Sequence, residues 1–189
     1  AREAEALREV TDLHAAGAKL FINSSASPYT VNKQSFRADL FGSQAKQFGC
    51  PLLMVNQVGG NDELVFDGNS FVFDAHGNLI AHGKDFEEDL VIVDLELPNA
   101  RPNIAIPSTG TESIYKALLL GLHDYVDKCG FRSVVLGLSG GIDSALTGAL
   151  AVAALGKDRV VGVAMPSRFS SEHSIDDARQ LAQNLDIEF

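Results

Sequence analysis

With 189 residues, 46% of them hydrophobic, and a formal net charge of −10, the chain can build the packed core of one domain or of parts of two. Acidic residues outnumber basic ones in both halves, which excludes a nucleic-acid-binding surface, since that needs a basic stripe against phosphates. Two cysteines without paired spacing fit a reducing cytosol, and no apolar run approaches the roughly 18 residues of a membrane span.

The opening, Ala1-Arg2-Glu3-Ala4-Glu5, has neither the charge nor the apolar run of a signal peptide and no initiator Met. Leu7, Val10, Leu13 and His14 form a helical stripe that Gly17 ends, and Lys19 to Asn23 reads as a short strand. Ser24 to Asn32 is a polar loop. Asn32 is placed to cap a helix through about Phe48, with Phe36, Leu40, Phe41, Ala45 and Phe48 recurring at threes and fours. Pro51 to Val58 is an apolar strand that Gly59, Gly60, Asn61 and Asp62 should break. Leu64 to Phe66, Ser70 to Asp74, Leu79 to His82 and Leu90 to Leu95 then read as short strands, with His76-Gly77-Asn78 turning a hairpin.

Residues 98–108 carry three prolines and no amphipathic period, as a linker would. Thr109-Gly110-Thr111-Glu112 has capping-box spacing, and the helix after it runs to Gly130 with Ile114, Leu118, Leu122, Tyr125 and Val126 on its inner face. Val134 to Leu138 is a buried strand, Ser139-Gly140-Gly141 a turn, and a helix runs from Ile142 to Gly156. Arg159 to Ala164 is a second strand, and Ser174 caps a helix carrying Ala178, Leu181 and Leu185. Strand, helix, strand, helix with short connections predicts a parallel sheet, whose ligands bind beyond the carboxyl ends of the strands. The end, Asp186-Ile187-Glu188-Phe189, reads as the opening of another strand, and with the missing Met it points to a piece of a longer protein.

The turn at 139–141 carries the chemistry. Two glycines can take backbone angles barred to other residues, and the unpaired N–H groups and positive dipole end of the following helix face an anion. Ser139 and Ser144 add hydroxyls, and Asp143 adds a carboxylate able to orient Mg²⁺ or a backbone amide. A plain strand-to-helix connection capped by Ser139 is the alternative. The turn lacks the Lys-Ser/Thr ending of the Walker loop and the Gly-x-Gly-x-x-Gly spacing of dinucleotide folds. Met165 to Ser174, with four serines, Arg168 and His173, is a second polar loop at the same sheet end. It could hold nucleotide, form a lid, or be a surface connection. The five histidines show no metal spacing.

The six positions Ser139 to Ser144 resemble the Ser-Gly-Gly-x-Asp-Ser pyrophosphate loop of the ATP pyrophosphatases, which split ATP into AMP and pyrophosphate to activate an oxygen. That loop alone leaves GMP synthetases, asparagine synthetases and tRNA-thiolating enzymes open. Ile114-Tyr115-Lys116-Ala117-Leu118, GLSGGIDSAL and MPSRFSSEHS resemble the synthetase domain of the glutamine-dependent NAD⁺ synthetase family. NSSASPYTVNK at 23–33 and VNQVGGNDELVFDGNSFVFD at 55–74 resemble the carboxyl-terminal part of its nitrilase-like glutaminase domain.

The resemblance implies an α/β chain. Residues 1–97 would be the C-terminal part of a nitrilase-like α-β-β-α sandwich, 98–110 a linker, and 111–189 the first half of a doubly wound parallel-sheet domain of the adenine nucleotide alpha hydrolase kind. It implies ATP and Mg²⁺ as cofactors, with Gly137, Leu138, Ser139, Gly140, Gly141, Ile142, Asp143 and Ser144 at the ATP phosphates and Asp143 toward the metal. Ser27 and Lys33 match the family's glutamine-binding positions, and Arg168, Ser170, Ser171 and His173 would touch nucleotide or form a lid. Its substrates would be deamido-NAD⁺ (nicotinic acid adenine dinucleotide), ATP, and glutamine or ammonia, without nucleic acid or membrane, in a cytoplasmic homo-oligomer. The family's catalytic Cys, Lys and Glu would lie upstream of Ala1, and neither Cys50 nor Cys129 replaces the nucleophile. The segment alone would then be inactive, as a nucleotide-binding fragment would be, while the whole protein is a ligase.

Overall fold

The computed structural model describes residues 2–96, 103–165 and 172–189. Its contacts separate two compact units, Ala1–Gly59 with Val65–Ile114, and Gly60–Leu64 with Tyr115–Phe189.

The first unit contains α1 (Arg2–Ala15), β1 (Phe21–Ser25), α2 (Lys33–Phe48) and β2 (Leu52–Asn56). β3 (Val58–Asn61) and β4 (Leu64–Asp67) form a hairpin, and β5 (Phe71–Phe73), β6 (Leu79–His82) and β7 (Asn103–Ile104) follow. Five strands make one sheet in the order β1-β2-β5-β6-β7. β1 and β2 run parallel, with Phe21 opposite Leu52 and Ser25 opposite Asn56, so their carboxyl ends finish together. Alternation along β2 buries Leu52, Met54 and Asn56 on one face. The two apolar residues join Phe21, Ala45, Cys50, Phe71 and Phe73 in the core, with Phe41 and Phe48 of α2 packed against it.

Several expectations are corrected here. Asn32 does precede α2, but its backbone is left-handed (φ 66°) and its side chain makes no capping hydrogen bond. Phe36 is 55% exposed, and the buried face of α2 is Gln34, Arg37, Gly42 and Ala45. Polar residues can face inward because a buried carboxylate, Asp67, meets Arg37 there. Gly59 and Gly60 do not break a strand. They lie within β3, and the turn falls at Asp62 and Glu63, with Asp62 at φ 52°. Leu90 to Leu95 forms no strand, and Leu90 and Ile92 are each 84% exposed. The place beside β6 is taken in parallel by β7, inside the stretch read as a linker.

The second unit has α3 (Gly110–Lys128), most of which belongs to it, β8 (Val134–Gly137), α4 (Ile142–Leu155), β9 (Val160–Val163) and α5 (Glu172–Leu185). β8 and β9 pair in parallel from Val134 opposite Val160 to Gly137 opposite Val163. Val126, Ala151, Leu155 and Val160 form one core cluster, and Leu138, Ala178 and Ala182 a second. Of the residues expected on the inner face of α3, Val126 is buried, whereas Ile114, Leu118 and Tyr125 are exposed, and Ala117 is buried in their stead. The expected terminal strand begins: Glu188 bridges Val161 in parallel, and Gly162 N–H donates to Glu188 O at 2.8 Å. No helix among the described residues is long and apolar enough to cross a membrane.

Candidate functional site

At the carboxyl end of β8 the chain leaves the sheet through Leu138, buried at 3% exposure, whose N–H donates to Val163 O at 2.9 Å. The next residues turn sharply. Gly140 has φ 77°, in the left-handed region that favours glycine, and Gly141 is extended before α4 begins at Ile142. Hydroxyls hold the turn. Ser139 Oγ accepts from Gly141 N–H at 3.3 Å, and Ser144 Oγ accepts from Ser139 N–H at 3.2 Å. Ser144 Oγ also lies 3.0 Å from Ser139 Oγ and donates to Gly141 O at 3.0 Å. The first main-chain bond into α4 is Ala145 N–H to Gly141 O at 3.1 Å. The preceding first-turn amides therefore lack partners of the i→i−4 kind and present positive partial charge at the exposed turn.

Asp143 stands exposed in the first turn of α4. Among the described residues no group of three or more His, Cys, Asp or Glu could hold a metal ion by itself. A single carboxylate beside an anion turn suits Mg²⁺, which draws its other oxygens from phosphate and water. His173 is exposed in the first turn of α5, whereas Arg168, Ser170 and Ser171 lie outside the described residues.

The first unit carries a second polar site, also at the carboxyl ends of parallel strands. Ser27 follows β1 by two residues and is half-buried, and Lys33 opens α2 with its Nζ donating to Pro28 O at 2.9 Å. Ser27 N–H donates to Asn56 Oδ1 at 2.9 Å, and Asn56 Nδ2 donates to Ser27 O at 3.3 Å and to Asp67 Oδ1 at 3.3 Å. Asp67 also accepts from Arg37 Nη2 and, at 2.9 Å, from Asn69 Nδ2. Asn69 Oδ1 lies 2.9 Å from Nε2 of His82, whose ring stacks on Phe71 at 4.6 Å. Burial is the largest influence on His82 and holds its pKa below the ordinary imidazole value, against the opposing pull of Asp85.

Sequence reading missed this buried polar layer of Arg37, Asn56, Asp67, Asn69 and His82. A signal was present. Asn56 continues the Leu52, Met54 alternation, and Arg37 shares a helical face with Gln34 and Ala45, so polar side chains occupy positions whose neighbours are core. Cys50 behaves as expected of a small core residue: it is 3% exposed, and burial raises its thiol pKa despite Lys19. A thiol kept protonated in this way is a poor nucleophile. Cys129 is exposed and free.

A carbon-nitrogen hydrolase profile matches residues 7–104, and an NAD synthase profile matches residues 114–189. Over 92% of its length the chain is 48% identical to the glutamine-dependent NAD(+) synthetase of Synechocystis sp. and 45% identical to that of Aquifex aeolicus, spanning 32% and 36% of those proteins. The solved structure of glutamine-dependent NAD+ synthetase from Acinetobacter baumannii, in complex with adenosine diphosphate, matches with a TM-score of 0.90 at 37% identity. That match covers 100% of this chain and 36% of the other. The chain thus spans about a third of the length of the curated relatives it matches.

Proposed function

The chain belongs to the family of the glutamine-dependent NAD(+) synthetases, a carbon-nitrogen hydrolase stretch leading into an NAD synthase stretch, and we propose that the whole protein amidates deamido-NAD⁺ to NAD⁺ in the cytoplasm, using ATP and ammonia released from glutamine. A carboxylate oxygen is a poor leaving group, so direct attack by ammonia fails. In the proposed reaction the nicotinate carboxylate attacks the α-phosphorus of ATP and pyrophosphate leaves. Ammonia then attacks the acyl carbon of the adenylate, AMP departs with the bonding electrons, and the nitrogen loses a proton to give the amide.

The observation that carries this reading is the left-handed turn at Gly140, cross-braced by Ser139 and Ser144 at the carboxyl end of a parallel strand. Within the stretch from Gly137 to Ser144, the first-turn amides of α4 and the Ser139 and Ser144 hydroxyls would hold the departing pyrophosphate, where fixed donors need no reorganisation as charge develops. Asp143 would hold Mg²⁺ together with phosphate oxygens. The metal would supply charge neutralisation there. Ser27 and Lys33 would bind glutamine in the first unit, with the reacting thiol elsewhere in the whole protein.

Glutamine- and ATP-dependent conversion of deamido-NAD⁺ to NAD⁺ by the whole protein tests the proposal, with Asp143→Ala expected to remove most of the rate. Full activity in that variant, or amidation of XMP in place of deamido-NAD⁺, would overturn it.

A further inference from the structure

We propose that Asn56 is a positioning residue for glutamine binding: its side-chain amide grips the main chain of Ser27 at two points and so sets where that serine stands. This rests on the assignment of Ser27 to glutamine. Ser27 lies in the connection between β1 and α2, beyond the ladder that pairs Ser25 with Asn56. Its main-chain N–H and C=O are instead taken by buried side chains. Asn56 Oδ1 accepts the N–H at 2.9 Å, Asn56 Nδ2 reaches the carbonyl at 3.3 Å, and Arg37 Nη1 makes a long contact to the same carbonyl at 3.5 Å.

The gripping amide is itself held from behind. Asn56 ends β2, and its own N–H donates to Ser70 Oγ at 3.1 Å. Its Nδ2 also donates to Asp67 Oδ1 at 3.3 Å, and Asp67, 1% exposed, is anchored by Arg37 and Asn69. Which end of the amide is oxygen follows from its neighbours, because Ser27 N–H needs an acceptor and Ser27 O and Asp67 need donors. An aspartate at this position has the same shape but donates nothing to the Ser27 carbonyl, and it sets a second carboxylate against Asp67. The substitution therefore removes the grip while keeping the volume.

A residue that only positions a binding serine affects substrate and transition state alike, so its loss appears in KM and leaves kcat nearly unchanged. The test measures glutamine-dependent and ammonia-dependent NAD⁺ formation by the whole protein in parallel, for Ser27→Ala, Asn56→Asp and Arg37→Lys. In Asn56→Asp the KM for glutamine is expected to rise about tenfold with kcat within about twofold, and the ratio of glutamine-dependent to ammonia-dependent rate at low glutamine to fall in step. Arg37→Lys keeps the charge but loses the planar fork, and should raise KM by about threefold. It decides alone if Asn56→Asp does not fold. An unchanged KM in Ser27→Ala would remove the assignment on which the proposal stands. A raised KM in Ser27→Ala with wild-type KM in the other two variants would overturn the grip itself. Equal losses of both rates together with thermal stability would mark Asn56 as a packing residue only, which also overturns it.

Discussion

Gly140 lies directly against the main chain of Ser174: a Cβ on Gly140 would come within 2.4 Å of Ser174 O and 2.8 Å of its Cα. Backbone presses on backbone, so no side-chain rotation relieves the contact. The Ser139–Gly141 turn and the first turn of α5 are thereby held in close contact within the second unit. Gly140→Ala combines that clash with a left-handed φ, which by itself costs about 1–2 kcal/mol for a residue with a Cβ. The variant should show a lowered thermal midpoint and a KM for ATP raised by more than about tenfold, against a deamido-NAD⁺ KM that moves less. Steady-state kinetics in both substrates check this.

Gly77 makes the corresponding close approach in the first unit. It turns the β5–β6 hairpin at φ 81°, and a Cβ there would meet Gly42 O of α2 at 2.6 Å and Lys46 Cβ at 2.9 Å. Asp74 fixes the turn from the other side, accepting from His76 N–H and Asn78 N–H at 2.8 Å each. Gly77→Ala should destabilise the unit by about 1–3 kcal/mol through overpacking, read as a lower urea midpoint, with the whole protein's KM for ATP, under the proposed function, unaffected.

His82 predicts a pH dependence of stability. Its folded pKa is depressed by burial, whereas in an unfolded chain imidazole titrates near about 6.5. Below that value the unfolded chain takes up a proton that the folded one refuses, so stability falls as pH drops from about 6.5 toward the folded pKa and levels off beneath it. Above about 6.5 this group takes nothing away. The gap between the urea midpoints of the wild type and His82→Gln, measured between about pH 5 and pH 8, should stay constant above about 6.5 and change only on the acidic side, the variant being the flatter.

The Arg37–Asp67 pair is buried at 4% and 2% side-chain exposure. Removing one partner strands the other charge, so Asp67→Ala should cost about 3–5 kcal/mol. The double variant Arg37→Met with Asp67→Leu should cost less than the two single changes together. It will not fully recover, because Asn56 and Asn69 also lose their acceptor. A double-mutant cycle by chemical denaturation gives the coupling, and additive single effects would contradict it.

The apolar runs from Pro51 and from Val134 to Leu138, and the Gly-Gly turn, determined by themselves that there are strands at Leu52–Asn56 and Val134–Gly137 and a sharp turn before Ile142. Each is a local matter of side-chain period or allowed backbone angle, which needs no distant partner. The turn at Ser139-Gly140-Gly141 and the helix after it were legible for that reason, whereas the bracing of the turn by Ser139 and Ser144 was not. Tertiary structure decided the rest. Leu90 to Leu95 has the composition of a strand yet forms none, and the place beside β6 is taken by Asn103–Ile104. Phe36 faces out while Arg37 faces in, because Asp67, thirty residues further along the chain, supplies the carboxylate that makes a buried guanidinium tolerable. The hold of Asn56 on Ser27 likewise spans twenty-nine residues and exists only once β1 and β2 lie side by side. Periodicity records which face of an element is apolar. Where two polar groups must meet in the interior, the pairing partner settles the outcome, and only the folded chain brings that partner within reach.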